Sequence, residues 1–220
     1  MALKKKKYDI FNDSLESYYW IGFLLADGHF SKETTIVLKV HIDDLDHIEK
    51  YKKFTKTDNI TKIYYSVSKK FKCSSPTAKI TICDGENVKN LCEKFDIKSN
   101  KTEFPPDIKT YDITDDQLLS LIIGFIDGDG CIYITKHNPK GTMRIKVHSS
   151  WLENLKIMEE HIRVMSGVLF KLNLSKINNQ GYASLMITKI PVLIYLKQFI
   201  IINNLPALTR KWDKINIDNF

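Results

Sequence analysis

Two stretches of this chain are almost wholly apolar, Tyr18–Ala26 and Leu118–Ile126. Each is about half the roughly 18 residues that a membrane-spanning helix needs. Each follows a helix-start signal. Asp13 with Glu16, and Thr114 with Gln117, have the spacing of a capping box, in which two side chains satisfy free backbone N–H groups reciprocally. The pattern predicts two helices of about four turns, each stopping at an Asp-Gly pair, Asp27-Gly28 and Asp129-Gly130. Elsewhere the period is two. Ala78-Lys-Ile-Thr-Ile82 and Ala183-Ser-Leu-Met-Ile187 alternate as strands do. So do Ile132, Ile134, Ile145 and Val147 against Tyr133, Thr135, Arg144, Lys146 and His148. Helical spacing returns in Val88, Leu91, Cys92 and Phe95, and in Leu193, Leu196 and Ile200, with Pro191 suited to a first turn. Antiparallel hairpins of this kind are expected to take helices on the apolar face and leave the polar face open.

The pattern occurs twice. Trp20-Ile-Gly-Phe-Leu-Leu-Ala-Asp-Gly28 and Ile122-Ile-Gly-Phe-Ile-Asp-Gly-Asp-Gly130 carry their Gly-Phe pairs 102 residues apart. Leu38-Lys-Val-His41 returns as Ile145-Lys-Val-His148, and Leu45 as Leu152, now at an offset of 107. The difference places five extra residues in the second hairpin loop, around His137-Asn-Pro-Lys-Gly141. The expected fold is α+β, with duplicated αββαββα halves at residues 1–111 and 112–220. The Glu103–Ile113 linker, with Pro105-Pro106, is too short for independent domains, so one pseudo-twofold body is expected.

The 220 residues are 43% hydrophobic and 27% charged, which excludes wholesale disorder. The net charge of +7 is concentrated. Lys50 to Lys72 holds eight lysines and one acid, Asp58, while Cys131–Leu152 and His161–Trp212 hold no acid at all. Long acid-free strands suit a surface that lies beside phosphates. No apolar segment directly follows Lys4–Lys7, so no secretory signal is read there. Cys73, Cys83, Cys92 and Cys131 form no CxxC pair, and are expected to be reduced, mostly buried thiols of an intracellular protein. His29, His47, His137 and His161 carry no pattern.

Gly22 and Ala26, like Gly124 and Gly128, are four apart. Two such strips of small residues let helix backbones approach closely. If the two repeat helices pack on each other, their C-terminal ends meet and bring Asp27 and Asp129 together. A carboxylate at the negative end of a helix dipole is unfavourable by about 0.3–1 kcal/mol, and a second carboxylate adds repulsion. A divalent cation removes both penalties, and Mg²⁺ takes a few carboxylates plus phosphate oxygens and water. Two acids amid a basic sheet therefore suggest metal-assisted phosphodiester cleavage. Asp127 is not assigned to metal, because Leu25 holds its place in the first copy.

These paired segments resemble the motifs of the LAGLIDADG homing endonucleases, in the single-chain form with two motifs. The first copy departs at Trp20, Ile21 and Leu25, while both final Asp-Gly pairs are intact. The resemblance implies a monomeric, metal-dependent endodeoxyribonuclease that makes a double-strand break in a long asymmetric target, serving the homing of an intron or intein. It implies antiparallel sheets forming a DNA-binding saddle, with Mg²⁺ or Mn²⁺ as cofactor and Ca²⁺ supporting binding without cleavage. It implies Asp27 and Asp129 as metal ligands, with the backbone of Ala26 and Gly128 beside them. Lys101 and Lys211 resemble the family's basic residues near the scissile phosphates, and Lys39 and Lys146 fall on its pocket-lining strand positions. Bases in the major groove would be read by the polar strand faces: Thr35, Lys39, His41, Lys79 and Thr81 in the first half, and Tyr133, Thr135, Arg144, Lys146, His148, Lys171 and Ser184 in the second. Arg144 is the best candidate for a bidentate guanine contact, and most lysines are expected to touch phosphates. Alternative readings are an RNA maturase that assists intron splicing, or an inactive DNA-binding regulator of the same fold. Both tolerate loss of an acid that this chain retains.

Overall fold

The computed structural model describes residues 8–67, 74–134, 141–169 and 181–217. The first half runs α1 (Leu15–Asp27), β1 (Gly28–Ser31), β2 (Thr35–His41), α2 (Leu45–Thr55), β3 (Lys62–Val67), β4 (Ser74–Cys83) and α3 (Gly85–Lys94). The second runs α4 (Asp115–Asp129), β5 (Gly130–Tyr133), β6 (Thr142–His148), α5 (Leu152–Ser166), β7 (Tyr182–Ile187), α6 (Ile190–Ile202) and the short α7 (Thr209–Trp212). The element order repeats as expected, except that α7 is an additional helix after the expected seven elements and that the strand expected before β7 falls outside the described residues. So do Thr135, Lys171, Cys73, the lysines at 4–7 and most of the longer loop at 137–141. The described strands form two antiparallel sheets, in the orders β1-β2-β4-β3 and β5-β6-β7. Among the described residues no helix is long and apolar enough to cross a membrane.

Both motif helices end at the expected aspartates, but their starts differ. Thr114 and Gln117 form the full capping box. On α1 the cap is Ser14, whose hydroxyl accepts from the Ser17 N–H, rather than Asp13. Asp13 has a left-handed backbone (φ 62), and its carboxylate instead accepts from the Tyr18 hydroxyl at 2.6 Å. The helix ends also differ from expectation. Gly28 and Gly130 are extended (φ −73 and −85) rather than left-handed. They are needed for space: a Cβ would lie 2.5 Å from the Leu24 carbonyl oxygen and 2.4 Å from that of Ile126. The chain can thus pass from helix to strand without a loop.

The helices α1 and α4 meet through their glycines. A Cβ on Gly22 would sit 1.8 Å from the Leu121 carbonyl oxygen, and one on Gly124 would sit 1.9 Å from that of Tyr19. Tyr19 and Leu121 are themselves 102 residues apart, the offset of the two glycines. The contact is therefore reciprocal, residue for residue, which is what a twofold relation requires. Lower down, a Cβ on Gly128 would meet that of Ala26 at 2.3 Å. Around this contact nearly all of both helices is buried. Trp20, Ile21 and Leu25, where the first copy departs from the motif it resembles, are each at most 1% exposed. Burying such side chains contributes about 1.5–3 kcal/mol each, so the departures are apolar substitutions within a core.

The sheets alternate as predicted, with one correction. Ile132, Ile145 and Val147 are buried, but Ile134 is 52% exposed, because β5 ends at Tyr133 and the alternation ends with it. The thiols are also corrected: Cys92 is buried, whereas Cys83 and Cys131 are free and exposed on polar strand faces.

Candidate active site

The helix ends bring two carboxylates into one electrostatic neighbourhood. Asp27 and Asp129 follow Ala26 and Gly128, the two residues in closest contact there. Both carboxylates reach solvent, yet protein crowds their remaining sides. That enclosure raises the Asp27 carboxyl to about 6, with Asp129 the next contributor and Lys211 and Lys101 opposing it. Asp129 is raised for the same first reason, again opposed by Lys101 and Lys211. The structure thus brings the two acids into one neighbourhood, where Asp129 disfavours the charged form of Asp27.

Lys101 and Lys211 are both brought into this centre, and neither is a solvated surface lysine. They are 8% and 5% exposed. The Lys101 ammonium donates to the Ala26 carbonyl at 3.0 Å. The Lys211 ammonium donates to the carbonyls of Ile126 (3.2 Å), Asp127, Gly128 (3.4 Å) and Gly130 (2.6 Å). Each lysine therefore neutralises the negative end of a motif helix, where carbonyls lack helical partners. Burial lowers the pKa of both lysines, and the neighbouring acids oppose that shift. The electrostatic pairing is crosswise. Lys101 is bonded to the first helix end but influences Asp129 most among the lysines, and Lys211, bonded to the second, influences Asp27 most.

Two carboxylates at adjoining helix ends suit a hard divalent cation. Among the described residues no third His, Cys, Asp or Glu completes a set. The remaining ligands would then be water and phosphate oxygens, as Mg²⁺ favours. The Ala26 and Gly128 carbonyls, expected beside the metal, already accept hydrogen bonds from the two lysines.

Lys39 and Lys146 stand elsewhere, exposed on the polar faces of β2 and β6. Neither is among the charges that shift Asp27 or Asp129. Lys39 lies opposite Lys79, which lies opposite Lys62 on the next strand, so three lysines form a row across the first sheet. Like charges facing each other across strands are destabilising unless an anion lies over them. Thr35, His41 and Thr81 share that face. In the second sheet Arg144 lies between Cys131 and Met186, and Tyr133 and His148 share its face. The Lys146 ammonium lies 4.4 Å from the Tyr182 ring centre. Ser184, expected on this face, is only 2% exposed, a two-atom side chain directly opposite the longer Lys146.

Three groups at the centre went unrecognised in the sequence. Asp127 is buried and accepts hydrogen bonds from Tyr19, Leu208 and Trp212. His47 is fully buried among Trp20 and Phe23, with its Nε2 at 3.1 Å from the Tyr19 hydroxyl. That hydroxyl donates to Asp127, so His47 donates from Nε2, and its buried Nδ1 is left without a hydrogen-bond partner among the described residues. Asp44 accepts from Nε and Nη2 of Arg210 in a two-pronged ion pair that joins the first half to α7. The only sequence signal for Asp127 was its lack of a counterpart, and His47 and Asp44 had none.

Residues 122–216 match the model of the LAGLIDADG endonuclease family. No curated protein sequence matches the chain. Among solved structures, the homing endonuclease I-WcaI bound to its DNA recognition sequence superposes with a TM-score of 0.60 at 13% identity, covering 92% of this chain and 87% of that one. The LAGLIDADG homing endonuclease I-GzeII in complex with its DNA target gives 0.54 at 14%, covering 90% and 86%. I-SmaMI bound to an uncleaved DNA target in the presence of calcium ions gives 0.50 at 15%, covering 90% and 89%.

Proposed function

We propose that this chain, which has the fold of the LAGLIDADG homing endonucleases and carries their family signature over residues 122–216, is a site-specific DNA endonuclease that cuts both strands of a long asymmetric duplex with a divalent metal. One observation carries the reading. A single polypeptide supplies two carboxylates at adjoining helix ends, each within reach of two buried lysines, between two open and largely acid-free strand faces. A cut in each strand needs two centres close together, and here one monomer holds both. That the similar proteins I-WcaI and I-GzeII were solved on DNA supports a duplex as the partner.

The chain's own residues do the following. Asp27 and Asp129 would hold the cation, and bound Mg²⁺ would supply a Lewis acid for the phosphoryl and leaving oxygens. That I-SmaMI was solved bound to an uncleaved DNA target in the presence of calcium ions is in keeping with a hard divalent ion. Lys101 and Lys211 keep a fixed positive field beside the scissile phosphates, set before substrate arrives. The lysine row on the first sheet and Arg144 and Lys146 on the second seat the duplex, largely through phosphates. The two faces share Thr35/Thr142, Lys39/Lys146 and His41/His148 but differ elsewhere, as at Val37 against Arg144, so the two half-targets differ as well.

The test uses a random duplex library with Mg²⁺. Wild-type protein should cut a discrete subset. Asp27→Asn and Asp129→Asn should each abolish the double-strand break while still retaining the same sequences on the protein. Undiminished cutting by either variant would remove these acids from the site. Retention of no duplex at all would remove DNA as the partner.

A further inference from the structure

Asp127 sits two residues before Asp129 on α4, but it faces the opposite way. It is 1% exposed, and three donors converge on it. One oxygen accepts from the Tyr19 hydroxyl at 2.7 Å and from the Leu208 N–H at 2.8 Å, and the other accepts from the Trp212 indole N–H at 2.8 Å. Leu208 and Trp212 bracket Lys211. One carboxylate thus grips both ends of α7, the four-residue helix that carries Lys211. Lys211 in turn donates to backbone carbonyls from Ile126 to Gly130, around Asp127 itself. The clamp is closed: the side chain of Asp127 holds the Leu208 N–H just before α7 and the Trp212 indole at its end, and the side chain of Lys211 holds backbone carbonyls at the end of α4 and at Gly130.

Among the described residues the first half has no such device. Leu25 occupies the equivalent position, and the Lys101 loop is held by its own turns, Lys101 N–H to Lys98 O at 3.1 Å and Glu103 N–H to Asn100 O at 3.0 Å. A further tether runs from the Ser150 hydroxyl to Thr102 O at 2.6 Å. The two buried lysines are therefore mounted by different chemistry: Asp127 is bonded to the segment that carries Lys211 and to Tyr19 on α1, but not to the loop that carries Lys101. We propose that Asp127 is a positioning residue for Lys211 and so controls the cut in one DNA strand and not the other. This rests on the endonuclease reading above.

The experiment uses the full chain and a target retained from a random duplex library by the Asp27→Asn/Asp129→Asn double variant, labelled on each strand and incubated with Mg²⁺. Lys211→Met identifies the strand whose cleavage depends on Lys211. Asp127→Asn should slow that same strand by about tenfold or more, since a displacement near 1 Å can cost about a hundredfold, and leave the other strand within about twofold. Singly nicked duplex then accumulates. Trp212→Phe removes one of the three donors and should show the same strand bias at smaller size; it decides the matter if Asp127→Asn does not fold. Equal slowing of both strands, no slowing, or slowing of the strand that Lys101→Met affects overturns the proposal alone. Wild-type protein that cuts no duplex overturns the endonuclease reading, and this proposal with it.

Discussion

The contact between α1 and α4 is the joint on which the site depends, and Gly124→Ala tests it directly. The added Cβ would stand 1.9 Å from the Tyr19 carbonyl oxygen, where real Cβ contacts essentially never fall below 3.0 Å. The shortfall is 1.1 Å, and the obstacle is backbone, so no side chain can swing aside. Relief requires the helices to part by about that much. A gap of 0.5–1 Å already forfeits about a quarter to a half of each dispersion contact along the seam. Overpacked cores lose about 1–3 kcal/mol, and a backbone clash belongs at the upper end. For a chain of this size about 3 kcal/mol lowers Tm by about 6–12 °C. Calorimetry measures it, with Gly85→Ala as the control, since its nearest neighbour is 3.8 Å away and its place in the first turn of α3 should make it neutral or slightly stabilising. Gly22→Ala should match Gly124→Ala, because the contact is reciprocal. A Gly124→Ala protein melting within about 2 °C of wild type would refute the close-packed seam. A large loss for one glycine and none for the other would refute the twofold relation.

Three other outcomes are expected. The Asp27 carboxyl is raised to about 6 from 3.8, so its ionisation in the folded state lowers stability as pH rises through that window and stays unfavourable above it. Asp27→Asn should therefore raise Tm at pH 7.5 without metal, and a lower Tm would contradict the enclosed carboxylate. His47 shows the reverse sign. Burial lowers it to about 3 from 6.5, so its contribution is whole above 6.5 and is lost as pH falls toward 3. Between pH 7.5 and 5.5 wild type should lose about 1.4 kcal/mol more stability than His47→Asn in denaturant titrations, and equal losses would show that His47 charges freely. Finally, the logarithm of DNA affinity should fall linearly with the logarithm of salt concentration, by about 0.9 per phosphate neutralised. A flat plot from filter binding or fluorescence anisotropy would argue against the lysine-bearing faces as the duplex seat.

Much of this was readable along the chain because repetition converts weak signals into strong ones. One Asp-Gly reads as a turn. Two, each at the end of a helix with small residues four apart, mark a symmetric contact with acids at its tip. Alternation identified the sheet faces, and it failed where a strand ended, at Ile134. It also failed to foresee the burial of Ser184, because period-two patterning gives direction and not depth. Capping signals located both helix starts to within a residue, and the miss at Asp13 came from two adjacent residues competent to cap, of which the left-handed backbone at Asp13 left the role to Ser14.

The amino-acid order alone determined the duplication, the helix seam and the pair of final acids, because these rest on local periodicity and on the sizes of residues close together in the chain. It could not determine what surrounds those acids. That Lys101 and Lys211 lie buried against the helix ends, that Lys39 and Lys146 do not join them, and that Asp127 grips α7 are facts about segments about 75 to 85 residues apart brought within hydrogen-bond distance. A lysine or an aspartate reads the same in a sequence whether water or four carbonyls surround it. Only the packed structure sets the solvent it loses and the partners that compensate, and with them the charge it presents to a substrate.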